Sequence, residues 1–187
     1  MAAGMKFTLV DRILSFHGHK SVKATRNLSL AEEYLADHFP GNPVMPGVLM
    51  LEGMIQTASW LVRVRHDFKH SMVLLKETKN VKYGKFVEPG DRLIIDVTLT
   101  GEENGVAHFR GQGAVDGQVV VRGQFSLSFF NLVDQDKSLA YNDEVVREMM
   151  KRKFRELCGP QALQAGREGA APGAHAVRAS EAKGNDA

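Results

Sequence analysis

His38, Gly47, Glu52 and Gln56 fall within nineteen consecutive residues, and between them they carry the parts of an acid–base reaction. A neutral imidazole accepts a proton near pH 7. A carboxyl group taken out of water has its pKa raised and becomes able to donate one. The segment around Gly47 and Val48 follows Pro46, a residue suited to a helix start. Backbone N–H groups at such a start have no intrahelical acceptor and stabilise negative charge developing on an oxygen. His38 is thus a candidate base, Glu52 a candidate acid, and the N–H groups of Gly47 and its neighbour candidate oxyanion donors.

These groups need elements to hold them. Three prolines and two glycines between Pro40 and Gly47 make a stiff loop of defined shape, with His38 at its entrance. From Val48 to Val64 nearly every helical face is apolar, as expected of a long helix buried almost all round. Its polar residues Glu52, Gln56, Ser59 and Arg63 follow i, i+4, i+7, i+11, a stripe roughly 60° wide at ~100° per residue. Two readings are open. The stripe is the solvent edge of the helix, or it turns Glu52 and Gln56 toward a cavity or a subunit interface.

The remaining elements are strands. Met5 to Phe16 and Lys20 to Leu30 are rich in β-formers, and residues 71–87 are mixed and partly extended. Arg92 to Thr100, Val106 to Val115 and Gln118 to Phe130 are clearer strands, separated by Asn104-Gly105 and Asp116-Gly117 turns. Two strands, a long apolar helix and a run of antiparallel strands make an α+β fold, with a sheet wrapped on a central helix. Residues 141–157 read as a second helix, capped by Asn142 or Asp143, with Val145, Met149, Arg152 and Glu156 on one face. In residues 159–187, 14 of 29 are Ala or Gly, and a disordered tail is expected. The boundaries expected are therefore a domain over 1–140, a helical extension over 141–158 and the tail.

Composition narrows the classes. The 187 residues are 43% hydrophobic and 25% charged, enough for one sizeable core. A net charge of +2 does not mark a dedicated nucleic-acid binder. Cys158 is the single cysteine, which excludes an intrachain disulfide and a cysteine-rich metal site. No membrane span is expected from Val44 to Val64, which contains Glu52 and Arg63, and the first residues show no signal pattern. A cytoplasmic location is expected. His66 and His70, at i and i+4, have too few companions for a metal site, and His17 and His19 flank a turn glycine.

The run His38-Phe-Pro-Gly-Asn-Pro-Val-Met-Pro-Gly-Val-Leu-Met-Leu-Glu-Gly-Met-Ile-Gln56 resembles the active-site segment of the 3-hydroxyacyl-[acyl-carrier-protein] dehydratases of the FabZ/FabA type. Phe7 to Arg12 and Val87 to Leu93 resemble the same family, so that the similarity covers about residues 6–130. It implies a hot-dog fold, a homodimer or trimer of dimers, an acyl carrier protein as partner, and no cofactor or metal. The implied reaction converts a (3R)-3-hydroxyacyl thioester to the trans-2-enoyl thioester and water. His38 matches the catalytic base and Glu52 the acid supplied by the other subunit. Gly47 matches the N–H that polarises the thioester carbonyl, Val44 the carbonyl that orients the histidine, and Gln56 a supporting polar group. Tyr83 to Phe86 match the loop that gates the acyl tunnel. Glu rather than Asp at position 52 implies the branch that only dehydrates.

Three departures stand beside this likeness. Asn42 replaces the usual His or Asp, the family's Pro-His-Arg-Tyr-Pro-Phe stretch is not seen before Phe7, and the C-terminal helix and tail are extra. Rival readings are a hot-dog acyl thioesterase and a non-catalytic acyl-thioester binder. From Arg63 to Arg92, eight basic residues stand against four acidic ones, either a rim for an acidic carrier protein or an ordinary solvated surface.

Overall fold

A computed structural model describes residues 7–158 with the exception of Asp37 and Pro40. The expected tail over 159–187 and the start of the first expected strand lie outside the described residues.

Six strands form one antiparallel sheet: β1 (Arg12–His17), β2 (Ser21–Asn27), β3 (Met72–Tyr83), β4 (Arg92–Glu103), β5 (Val106–Val115) and β6 (Gln118–Phe130). Their order across the sheet is β1-β2-β4-β5-β6-β3, so β1 and β3 are its edges. Between β2 and β3 runs α1 (Gly47–Arg65), and after β6 comes α2 (Ala140–Leu157). The inner sheet face brings Ala24, Leu93, Ile95, Val97, Phe109 and Leu127 onto α1, whose Met54, Ala58 and Leu61 are buried. Close approach is helped by Gly111, where a Cβ would stand 3.0 Å from the Met54 sulfur. The apolar stretch from Val48 to Val64 is thus the central helix, and among the described residues no helix is long and apolar enough to cross a membrane.

Several boundaries differ from expectation, each for a local reason. Residues 7–10 are not strand: Leu9 N–H donates to the Gln56 side chain instead of to a ladder partner, and strand pairing starts beyond Asp11. The second strand ends at Asn27 because Leu28 N–H turns to Asp91 O. The mixed stretch 71–87 holds a full strand, β3, whose side chains are mostly exposed because it is an edge.

Helix α2 corrects two expectations. Neither Asn142 nor Asp143 caps it; the N-cap is Leu139, after a short 3-10 turn over Lys137–Leu139. Its buried side is also not the Val145–Met149 face but the one carrying Asp143, Met150, Phe154 and Leu157. Asp143 turns inward because it accepts hydrogen bonds from the Ser71 hydroxyl and from the Leu132 and Val133 N–H groups. A carboxylate with three donors is stable where a lone one is not.

Candidate active site

Pro46 ends the stiff loop and α1 begins at Gly47. Leu49 N–H already turns back to Pro46 O, which leaves the Gly47 and Val48 amides as the helix's outward-facing donors. The Tyr83 ring lies against Gly47: a Cβ there would stand 3.0 Å from its Cδ1 and Cε1 atoms. Met45 N–H donates to Val87 O at 2.8 Å, which lays the loop before α1 beside the segment that follows β3. Val44, the residue before Met45, is buried.

His38 is half-buried, its ring centroid 4.4 Å from that of Phe39. Phe39 has φ of 55°, a left-handed conformation that an aromatic residue rarely adopts, and it meets Phe86 edge-on at 6.3 Å. Phe39, Tyr83 and Phe86 are all exposed. The expected base, oxyanion donor and two gate residues are therefore joined through the 83–87 segment. Phe39 was not singled out from sequence; only its place between His38 and the Pro-Gly turn hinted at a special backbone.

Glu52 is half-buried and accepts a hydrogen bond from Gln56 Nε2 at 3.0 Å. Gln56 is 9% exposed. Its Oε1 accepts from Leu9 N–H at 2.9 Å, and its Nε2 also donates to Phe7 O at 3.1 Å. Gln56 thus ties the N-terminal segment to α1 and holds one carboxylate oxygen. On an α-helix, a residue five positions after Gly47 lies about 140° round the axis and about 7.5 Å along it. Among the described residues no hydrogen bond or ring contact joins His38 to Glu52 within the chain.

The rest of the polar stripe is structural. Ser59 Oγ donates to Gln56 O. Arg63 is buried and donates from Nη1 to His70 O and Ser71 O, the point where the chain turns from α1 into β3. Burial lowers its pKa to about 10, so it remains a cation at neutral pH. The stripe is therefore not a plain solvent edge: Gln56 and Arg63 are buried and bond to the segments at Phe7–Leu9 and His70–Ser71, while Glu52 and Ser59 bond to Gln56 within the helix.

His66 and His70 sit together past the end of α1. Their rings lie 5.0 Å apart and both pack on Phe129, and His66 Nε2 stands 3.0 Å from Glu102. Among the described residues no cluster of three or more ligating side chains could hold a metal ion.

Positive charge gathers elsewhere than the Arg63–Arg92 count alone indicates. Lys23, Asp96, Gln112, Arg122 and Lys82 are successive cross-strand partners on β2, β4, β5, β6 and β3. Thr98, Arg110, Gln124 and Lys79 form the adjacent row. Partners in register project to the same sheet face, here the one away from α1. Lys23 pairs with Asp96 and Lys79 with Glu77, whereas Arg110, Arg122 and Lys82 enter no ion pair among the described residues. These three line a groove of about 600 Å³. Lys82 is the chain neighbour of Tyr83, so the row ends beside Gly47.

The family model of the FabA-like domain matches residues 1–124. A protein of Burkholderia thailandensis called 3-hydroxyacyl-[acyl-carrier-protein] dehydratase FabZ is 36% identical over 119 residues, covering 62% of this chain and 74% of that protein. A protein of the same name from Caldicellulosiruptor bescii is 35% identical over 118 residues, covering 63% and 84%. Among solved structures, the dehydratase heterocomplex ApeI:P of Xenorhabdus doucetiae superposes with a TM-score of 0.58 at 17% identity, over 71% of this chain and 90% of that one. The Streptococcus mutans protein smu.793, bound to acetyl CoA, gives 0.52 at 16% identity, over 70% and 96%. At such identities the structures speak for the fold alone, which is the hot-dog fold. With its matched helix, loop and sheet all in place, the chain belongs to the FabA-like family, on its FabZ side.

Proposed function

We propose that this protein removes water from (3R)-3-hydroxyacyl-[acyl-carrier-protein] to give the trans-2-enoyl thioester, reversibly, in fatty-acid or related lipid synthesis. The observation that carries this is the open amide end of α1 at Gly47, roofed by Tyr83, with the His38 loop fastened alongside by Met45 and Val87. The thioester carbonyl accepts from the Gly47 N–H, which stabilises the enolate-like charge as C2 loses its proton. His38 takes that proton. The C2–H electron pair becomes the C2–C3 double bond, the C3–O bond breaks, and the hydroxyl leaves as water with the proton of Glu52. Val44 places its carbonyl to orient the imidazole, and Gln56 holds the Glu52 carboxyl.

His38 and Glu52 act from different chains. Support comes from the angular separation of Glu52 from Gly47 on α1 and from the open β3 edge. That edge exposes Leu74 and Leu75, each 45% accessible, beside unpaired ladder groups, and it suits the β3 of a second copy. Tyr83 and Phe86 gate the acyl tunnel. The acidic carrier protein docks on the Lys82, Arg110 and Arg122 face. Cys158 is free and buried, its thiol pushed up to about 12 by burial, which is compatible with a reducing, cytoplasmic setting.

Incubation with 3-hydroxyacyl carrier proteins of graded chain length, read by mass spectrometry, tests the assignment. Loss of one water from the acyl group supports it. Release of free acid and free carrier thiol would show a thioesterase, and tight binding without conversion a binder.

A further inference from the structure

Helix α2 lies beyond the residues matched by the family, yet it is fixed to the fold at several points. Asp143 is buried under its three donors. Phe154 packs on Phe68, Trp60 and Phe16, with ring centroids 5.4, 5.9 and 6.0 Å away. Leu157 is buried, and Cys158 forms a parallel bridge to Ile13. These anchors set the rotation of the helix about its axis. The opposite face cannot turn inward, although it carries Tyr141, 74% exposed, and Val145, 43% exposed. With Met149 they border an open groove of about 550 Å³.

The charges on that face are ordered along it. Glu144 and Glu148 stand in the first half, Arg152 and Arg155 in the second, and all four line the groove. Glu148 is also paired with Lys151 at 2.8 Å, in an exposed ion pair that exchanges at little cost. A uniformly acidic or basic partner would meet like charge on one half of this face. A second α2 laid antiparallel meets opposite charge on both halves, while a parallel one sets acid on acid and arginine on arginine. The arrangement is self-complementary about a two-fold axis near Met149.

We propose that α2 pairs antiparallel with α2 of a second copy of this chain. Tyr141, Val145 and Met149 form the seam, and Glu144 and Glu148 of each chain face Arg152 and Arg155 of the other. One helix pair is small beside the ~800 Å² per partner of a standard interface. It therefore joins units already held by another contact, for which the β3 edge is available.

Light scattering on the full chain at micromolar concentration tests this. Val145→Glu with Met149→Glu is expected to halve the mass of the wild-type particle. These positions are remote from His38, Glu52 and Gly47, so turnover of a small 3-hydroxyacyl thioester stays at the wild-type rate and reports that the variant is folded. The stronger arm exchanges charge. A chain with Glu144→Lys and Glu148→Lys has a wholly cationic face, and one with Arg152→Glu and Arg155→Glu a wholly anionic face. Each alone is expected at the halved mass, and their equimolar mixture at the full mass. An unchanged mass in the Val145/Met149 variant overturns the proposal, and so does a mixture that stays small. Neither result touches the dehydration assignment, which the turnover assay reads separately.

Discussion

The ring of Tyr83 rests on the first residue of α1, so closely that a Cβ on Gly47 would lie 3.0 Å from two ring carbons and 3.3 Å from a third. Glycine is required here for contact, since the position has ordinary helical geometry. Gly47→Ala forces the ring or the helix start to shift by a few tenths of an ångström. Tyr83 is half-exposed and can move, so the melting temperature should change little. The amide proposed to meet the thioester oxygen is displaced in the same movement, and small displacements of positioned groups cost turnover heavily. kcat is expected to fall about tenfold or more. Adding Tyr83→Ala removes the obstacle and should recover part of that loss; a double variant no better than Gly47→Ala would show that Tyr83 is not the cause.

The proposed placement of the base and the acid in different chains has a consequence that a single-chain site lacks. His38→Ala and Glu52→Gln should each lower kcat/KM by about 10² or more. In a mixed dimer of the two variants, one site combines both defects and the other is fully wild-type. After random subunit exchange, about a quarter of all sites are intact. Mixing two inactive preparations should therefore restore about a quarter of the wild-type rate. A mixture as inactive as its components would place both groups in one chain.

Most of the fold and the His38–Gln56 segment were legible because their signals are local. Pro46 and the apolar run after it define α1, and Asn104-Gly105 and Asp116-Gly117 define two hairpins. What escaped depends on pairs far apart in sequence. Arg110 and Lys82 share a groove only through strand register, which no single strand displays. The inward turn of Asp143 depends on donors at Ser71, Leu132 and Val133. Without them the Val145–Met149 stripe was the more apolar choice. Gln56 could be placed on the stripe, but its partners Phe7 and Leu9 could not.

Those partners make Gln56 a test of how the acid is held. Gln56→Leu keeps the volume and removes three hydrogen bonds, stranding the Leu9 N–H in a buried site. A buried group without its partner costs about 1–3 kcal/mol. Urea denaturation should show a loss of that order. Because the Glu52 carboxyl also loses its tether, kcat should fall more than KM changes. Loss of stability with an unaltered kcat would leave Gln56 a purely structural role.

The anchoring of α2 should depend on acid. Burial pushes the Asp143 carboxyl up, but hydrogen bonds from Ser71, Val133 and Leu132 and the charge of Arg147 outweigh it and hold the pKa below the usual 3.8. A group with a depressed folded-state pKa stabilises the fold above its unfolded value, and that stabilisation is lost as pH falls through the folded value. Wild type should therefore melt higher than Asp143→Asn at neutral pH. The gap should narrow below about pH 4 as the wild-type carboxyl protonates. A gap independent of pH would mean that packing rather than charge makes the difference.

The proposed carrier docking on the outer sheet face can be separated from the chemistry. Arg110 and Arg122 project from neighbouring strands into one groove, with Lys82 at its Tyr83 end, and none of the three is neutralised by an ion pair among the described residues. Charge on such a face raises encounter rates with an acidic partner and is screened by salt, with a Debye length of about 8 Å at physiological ionic strength. Arg110→Glu with Arg122→Glu should raise KM for the carrier-bound substrate about tenfold, leaving kcat near wild type. A small 3-hydroxyacyl thioester, which has no acidic carrier, should be turned over as before. Raising the salt should weaken wild type toward the variant while hardly affecting the variant itself. Equal losses on both substrates would mean that the reversals distort the sheet, and no loss on either would move the docking surface to the Arg63–Arg92 rim.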